Sequence, residues 1–267
     1  MVKKIMAKSY ILFILFLMYL PMLVLIIFSF TDTNNLGSWN GFTFDVYKNL
    51  FKDEEVLNAL KNTILVAVVS SVFSTILGTF GAIGIYYSKK KAKKFMNGMG
   101  QISVVNAEIV TAISLTLLFT IFAKVLHIEN IFGFATLVIG HIVLTVPFVV
   151  LNVTPKLKQM DQNIYEAALD LGATPTQALI KVVLPEIIPG ILSGFLMCIT
   201  LSLDDYIITA YTRNNSFETL STYVESVLSK GHLPNTLRSL TTLIFIVMIL
   251  VLLVINFKTK DKREEKR

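Results

Sequence analysis

Charge is what this 267-residue chain has least of: 16% of its residues are Asp, Glu, Lys or Arg, against about 25% in an ordinary soluble domain. That shortage excludes a conventional soluble globular domain. With 54% hydrophobic residues and a mean hydropathy of +0.68, the expected solvent is lipid. Cysteine is scarcer still, and Cys198 alone excludes an internal disulfide or a thiolate cluster for metal. His127, His141 and His232 show no ligand spacing such as His-Glu-x-x-His, so structural or surface roles are expected of them and no metal site is predicted. No Gly-x4-Gly-Lys-(Ser/Thr) loop is present to cradle ATP phosphates, and no nucleophile and base are arranged for catalysis. No repeat of fixed period stands out, and low complexity is confined to a lysine run and a charged tail.

Long apolar runs are what is there. Six segments can each cross roughly 30 Å of hydrocarbon as a helix of about 20 residues, namely 10–30, 63–87, 102–123, 132–151, 187–212 and 240–257. An all-α integral membrane protein with one membrane domain over residues 1–267 is expected. The first segment follows Lys3, Lys4 and Lys8. Its apolar stretch exceeds a signal-peptide core and lacks an Ala-x-Ala cleavage site, so it is expected to stay as a membrane helix, with Pro21 a candidate kink.

Most of the basic residues fall on one side if the N-terminus is inside. These are the N-terminal lysines, the Lys89-Lys90-Lys91-Ala92-Lys93-Lys94 run, Lys156, Lys158 and Lys181, and the tail from Lys258. Cytoplasmic loops carry such an excess, so both termini are predicted to be cytoplasmic in a multi-pass bacterial cell membrane protein. The net charge of +6 comes in short runs bordering apolar spans, which reads as topogenic, phospholipid-facing charge and not as a nucleic-acid surface.

The longest cytoplasmic loop, about 163–185, reads as helix, sharp turn, helix. Residues 164–171 favour helix, Gly172 suits a left-handed C-cap, and Thr174-Pro175 supplies an N-cap followed by proline at the first helical position. Small Ala167 and Ala168 permit close approach to a partner groove, and Glu166 offers a charge there. Leu184-Pro185 and Pro189 shape the start of the fifth span. From the residues alone, an interfacial hairpin without a partner is an equal reading.

The six segments hold three carboxylates, Glu108, Asp204 and Asp205, and no Lys or Arg. An ionisable group at a helix centre costs about 2.5–3.5 kcal/mol on insertion scales and usually faces a wet cavity or a partner. The counter-charge comes from a cationic substrate or from a partner subunit. Structural carboxyls between helices and a proton relay are the other readings. On a continuous helix Asp204 and Asp205 project about 100° apart, and Ser202 shares the side of Asp205. Trp39, the single tryptophan, suits the headgroup layer or, more sharply, a cation–π contact at a pore mouth.

Glu166-Ala167-Ala168, then Gly172, Val182 and Leu184-Pro185, resembles the loop by which permease subunits of bacterial ABC importers dock on their ATPase. Val182 stands where isoleucine is usual. Together with Phe28-Ser29-Phe30, Asn62-Thr63, Glu108-Ile109-Val110 and Leu201-Ser202-Leu203-Asp204-Asp205-Tyr206, the chain resembles the spermidine/putrescine permeases of that family along most of its length. Ala107 stands where the family usually has proline, which weakens the expectation of a helix break exposing Glu108.

The resemblance implies a MetI-like type I ABC importer permease fold with a cytoplasmic helix-turn-helix coupling loop. It implies a non-catalytic transport subunit importing polyamines by alternating access. Implied partners are a second, homologous permease, an ATPase dimer that binds ATP and Mg, an extracytoplasmic polyamine-binding protein, and membrane lipid; no cofactor is implied for this chain. The substrate pathway is expected at Glu108, Ser202, Asp204, Asp205 and Trp39, and the ATPase coupling at Glu166, Ala167, Ala168, Gly172, Leu184 and Pro185. The rivals are an importer of another substrate (ferric iron, thiamine or phosphonate) and a self-standing cation channel or secondary transporter.

Overall fold

Hydrocarbon offers backbone N–H and C=O groups no partners, and a helix satisfies them within its own segment. In the computed structural model, which describes residues 2–33, 39–161, 163–231 and 234–264, every regular element is helical. In chain order the helices are α1 (Val2–Phe28), α2 (Asp45–Leu50), α3 (Glu54–Tyr87), α4 (Lys90–Val105), α5 (Glu108–Leu126), α6 (Phe134–Gln159), α7 (Asn163–Asp170), α8 (Pro175–Ala178), α9 (Leu184–Asp204), α10 (Ile207–Thr212), α11 (Leu220–Ser229) and α12 (Asn235–Glu264). A π-helical turn, Leu179–Val183, joins α8 to α9 without a gap. Among the described residues, five stretches are long and apolar enough to cross a membrane: Lys8–Phe28, Glu54–Tyr87, Glu108–Leu126, Phe134–Gln159 and Pro175–Asp204. The expected sixth span, 240–257, falls in α12, whose described apolar part is Asn235–Val247. His232 and residues 265–267 of the basic tail lie outside the described residues.

The chain divides into two compact units, residues 1–58 with 223–267, and residues 59–222. In the first, α1 runs through Pro21, and Phe30, Phe42, Phe44 and Tyr47 pack ring on ring, Phe30 and Phe42 stacked at 5.0 Å. Buried Arg238 of α12 hydrogen-bonds Thr33 O and Asn235 Oδ1, while Asn235 Nδ2 donates to Asp32 Oδ1 at 2.7 Å. Trp39 is half exposed and meets Phe28 edge-on at 6.2 Å.

The second unit is built around the pairing of α6 with α9. Gly190 and Gly194, four apart on α9, let the two backbones close up: a Cβ on Gly190 would lie 3.0 Å from Asn152 O, and one on Gly194 3.2 Å from Val149 Cα. Small residues at this spacing replace the hydrophobic drive that lipid cannot supply. Ala82, Val149, Val153, Leu157, Val183, Ile187 and Cys198 fill the contact. Ser193 Oγ donates across it to Asn152 Oδ1 at 3.0 Å, and Ser74 Oγ ties α3 to Thr145 Oγ1 of α6 at 2.6 Å.

Two expected spans are broken. Residues 102–105 belong to α4, an amphipathic helix with no buried residue; Asn106 and Ala107 are extended (ψ 139° and 132°), and α5 starts afresh at Glu108. The break forms with Ala107 in the place of the family's usual proline, although that alanine was expected to weaken it. Asn106 Nδ2 reaches across it to Thr111 Oγ1 at 3.0 Å. In the fifth span α9 stops at Asp204, Asp205 is extended (ψ 128°), and α10 follows. The 100° offset between the two aspartates and the shared face of Ser202 and Asp205 therefore do not apply, because no single helix carries them.

Candidate functional site

The two breaks bring the acids into one electrostatic neighbourhood. Glu108 opens α5 and lies in the field of both Asp205 and Asp204, while Thr116 Oγ1 of α5 donates to Tyr211 O of α10 at 3.0 Å. Their roles differ. Asp205 is 7% exposed and works as a cap: its Oδ1 accepts from Ile208 N at 3.2 Å, and its Oδ2 accepts from Thr209 N at 2.8 Å and Thr209 Oγ1 at 2.9 Å. Two amides that a new helix would leave unpaired are thereby satisfied. Asp204 and Glu108 are exposed.

The charge balance at these two acids is uneven. Glu108 sits at a helix N-terminus, where the dipole favours an anion; Asp204 ends α9, where the negative pole adds to its own charge. Among the described residues neither forms an ion pair. Asp45, outside the spans, shows the contrast. Its carboxylate lies 2.9 Å from Lys48 Nζ, and the hydrogen bond and charge of Lys48 hold its pKa below the ordinary carboxylate range. The exposed pair at the breaks is thus an uncompensated anionic spot, suited to a cation.

Behind it lies a residue outside the expected pathway set. His141 of α6 is 1% exposed, with Nδ1 2.6 Å from Ser202 Oγ on α9 and Nε2 2.9 Å from Thr209 Oγ1 on α10. Ser202 is itself buried and lies 3.2 Å from Ser70 Oγ of α3. Gly140 makes room, since a Cβ there would lie 2.7 Å from Ile208 Cγ2. The signal available in the sequence was that His141 is the one histidine inside an apolar segment. Of the five expected pathway residues, Glu108 and Asp204 share the exposed spot, Ser202 and Asp205 lie in the packed network behind it, and Trp39 belongs to the other unit.

The expected coupling residues form the anticipated helix-turn-helix. α7 carries Glu166, Ala167 and Ala168 and closes with Ala173 N to Ala168 O at 3.1 Å and Gly172 N to Leu169 O at 2.9 Å, the reciprocal bonds of a left-handed C-cap, with Gly172 at φ +87°. Thr174 and Gln177 then form a capping box, with Pro175 at the first position of α8. Leu184 and Pro185 start α9. Leu171, not foreseen, is 90% exposed between Glu166 and Gly172. A cavity of about 330 Å³ beside this element is lined by Tyr86, Tyr87, Lys93, Met160, Tyr165 and Glu166.

Residues 74–259 match the family described as binding-protein-dependent transport system inner membrane component. The spermidine/putrescine transport system permease protein PotC of Escherichia coli (strain K12) is 31% identical over 245 residues, 92% of this chain and 90% of that protein. The putrescine transport system permease protein PotI of the same organism is 31% identical over 228 residues, 85% of this chain and 81% of that one. In fold, the chain is similar to a bacterial ABC transporter that imports the acidic polysaccharide alginate, with TM-score 0.72 and 15% identity over 96% of this chain and 95% of that one. A helical membrane fold, a coupling-type helix pair and identity spread along nearly the whole sequence agree: the chain belongs to the family of inner membrane components of binding-protein-dependent transport systems, the permease subunits of ABC importers.

Proposed function

We propose that this permease passes polyamines, spermidine or putrescine, into the cytoplasm, and that Glu108 and Asp204 meet their ammonium groups. The observation that carries the reading is the exposed pair of acids at two helix breaks, in one electrostatic neighbourhood and without an ion pair among the described residues. The names of the two relatives supply the substrate class. Separate carboxylates suit a flexible chain of separated ammonium groups, because each contact stays weak enough to release. Asp205 and Ser202 contribute from behind by holding the break, and Trp39 serves as an interfacial aromatic near the outer end of the first span.

Both termini lie in the cytoplasm in this reading, as the distribution of lysine favours. A second homologous permease completes the pathway, and an external binding protein delivers substrate. An ATPase dimer carrying ATP and Mg docks on α7 and α8 through Glu166, Ala167, Ala168 and Leu171. Closure of that dimer swings the permease helices from inward-facing to outward-facing, and hydrolysis resets them; no step of catalysis falls to this chain. Labelled spermidine uptake by the assembled transporter in proteoliposomes, with and without ATP, tests the reading. ATP-dependent uptake lost in Asp204→Asn at equal complex supports it. Absence of spermidine uptake by correctly assembled wild type redirects the search for substrate, and uptake without ATP points to a channel or secondary transporter.

A further inference from the structure

We infer that His141 is a positioning residue, a neutral imidazole that staples the two halves of the broken fifth span and so sets the place of Asp204; this rests on the transport role proposed above. The break leaves α9 and α10 without a continuous backbone ladder, so side chains must fix their relation. His141 is the residue that touches both, Ser202 on one side at 2.6 Å and Thr209 on the other at 2.9 Å.

Proton bookkeeping fixes which nitrogen is the donor. Asp205 Oδ2 accepts the hydrogen of Thr209 Oγ1 at 2.9 Å, and lies 3.6 Å from His141 Nε2, beyond hydrogen-bond reach. Thr209 Oγ1 must then accept, and His141 Nε2–H is its donor. A neutral ring with a protonated Nε2 has an accepting Nδ1, which takes the hydrogen of Ser202 Oγ. Ser202 having spent its hydrogen, the Ser70 hydroxyl is the donor in the Ser70–Ser202 bond at 3.2 Å, sharing its hydrogen with Ala67 O at 3.3 Å. The result is one directed chain, Ser70 to Ser202 to His141 to Thr209 to Asp205, drawn from α3, α9, α6 and α10 and ending on the carboxylate that caps α10. Every link is buried, where such chains reinforce one another and a missing member leaves its neighbours unpaired. The remaining charged groups nearby are Glu108 and Asp204, both on the exposed side.

The test uses the assembled transporter with histidine labelled by nitrogen-15 in this subunit alone, the His141 signals being assigned by elimination from the spectra of His127→Gln and His232→Gln. A neutral ring protonated at Nε2 is expected; a ring protonated at Nδ1, or at both nitrogens, overturns the chain. His141→Gln keeps a donor toward Thr209 and loses Ser202, whereas His141→Asn keeps an acceptor toward Ser202 and loses Thr209. Both are expected to lower spermidine turnover per assembled complex about tenfold and to lower substrate moved per ATP, with KM unchanged, since one buried partner is left unpaired. His127→Gln is the unaffected control. Wild-type turnover in either His141 variant overturns the inference. If the variants fail to assemble, or if wild type carries no spermidine, the ring spectrum alone decides, and in the second case the polyamine reading falls separately.

Discussion

Asp204 and Asp205 are adjacent in sequence, yet their replacement should fail in opposite ways. Asp205→Ala removes the acceptor for Ile208 N, Thr209 N and Thr209 Oγ1, all in a buried setting. A lost N-cap costs about 0.5–2 kcal/mol, and each buried donor left unpaired costs about 1–3 kcal/mol. Because the three donors share one carboxylate, the costs do not add in full, and a total near ~3 kcal/mol is expected. Asp204→Asn removes an exposed charge with no ion-pair partner among the described residues, so its cost to stability should lie within about 0.5 kcal/mol. The assay pairs thermal inactivation of the purified complex with ATP-dependent uptake per folded complex. Asp205→Ala should shift the thermal transition strongly, while Asp204→Asn should leave it in place and abolish most uptake. Equal thermal shifts for the two, or an Asp205→Ala complex as stable as wild type, would refute the division of labour.

The remaining predictions concern packing, docking and surface charge. Gly190→Ala sets a Cβ against the fixed carbonyl of Asn152 and should destabilise by about 1–3 kcal/mol, whereas Gly84→Ala, with nothing within 4 Å of the new Cβ, should be neutral or stabilising; thermal inactivation of both compares them. Leu171→Ala should weaken co-purification of the ATPase about tenfold or more without altering membrane insertion, since burying a leucine contributes about 1.5–3 kcal/mol. The pKa of Asp45 is lowered in the folded protein, so its pairing with Lys48 contributes above the ordinary aspartate pKa and is lost as pH falls through the folded value. Being fully exposed, it should leave the thermal transition of Asp45→Asn unchanged at neutral pH in physiological salt.

The coupling element was legible in the sequence because its determinants are local. Gly172 needs a positive φ, and Thr174, Pro175 and Gln177 obey capping rules that require no knowledge of neighbours. The spans were legible as apolar runs, but their joints were not. Neither Asn106-Ala107 nor Asp205-Tyr206 contains Gly or Pro, and hydropathy is blind to a backbone that turns extended while staying apolar on both sides. The acids were found as anomalies, yet separating buried Asp205 from exposed Asp204 needed the cap that only the break creates. His141 stayed outside the expected pathway because a lone histidine carries no spacing signal; its hydrogen-bond partners come from two other helices, α9 and α10.

From Pro175 to Asp204 the backbone is helical over all 30 residues, about 45 Å at helical rise, its pitch changed by the π-helical turn at Leu179–Val183 and its ladder short of a donor at Pro185 and Pro189. One end of that lever is the capped start of α8 in the coupling element, and the other end is the acid itself. A push or twist at Pro175 therefore needs no relay of side chains to arrive at Asp204, because the two are fixed on the same shaft. The break immediately after Asp204 ends the backbone ladder there, so motion of the shaft reaches α10 only through the His141 link between Ser202 and Thr209, while Thr116 and Thr136 tie α10 to α5 and α6. A drive shaft ending at a pinned joint converts motion at the docking end into a change in where one negative charge points.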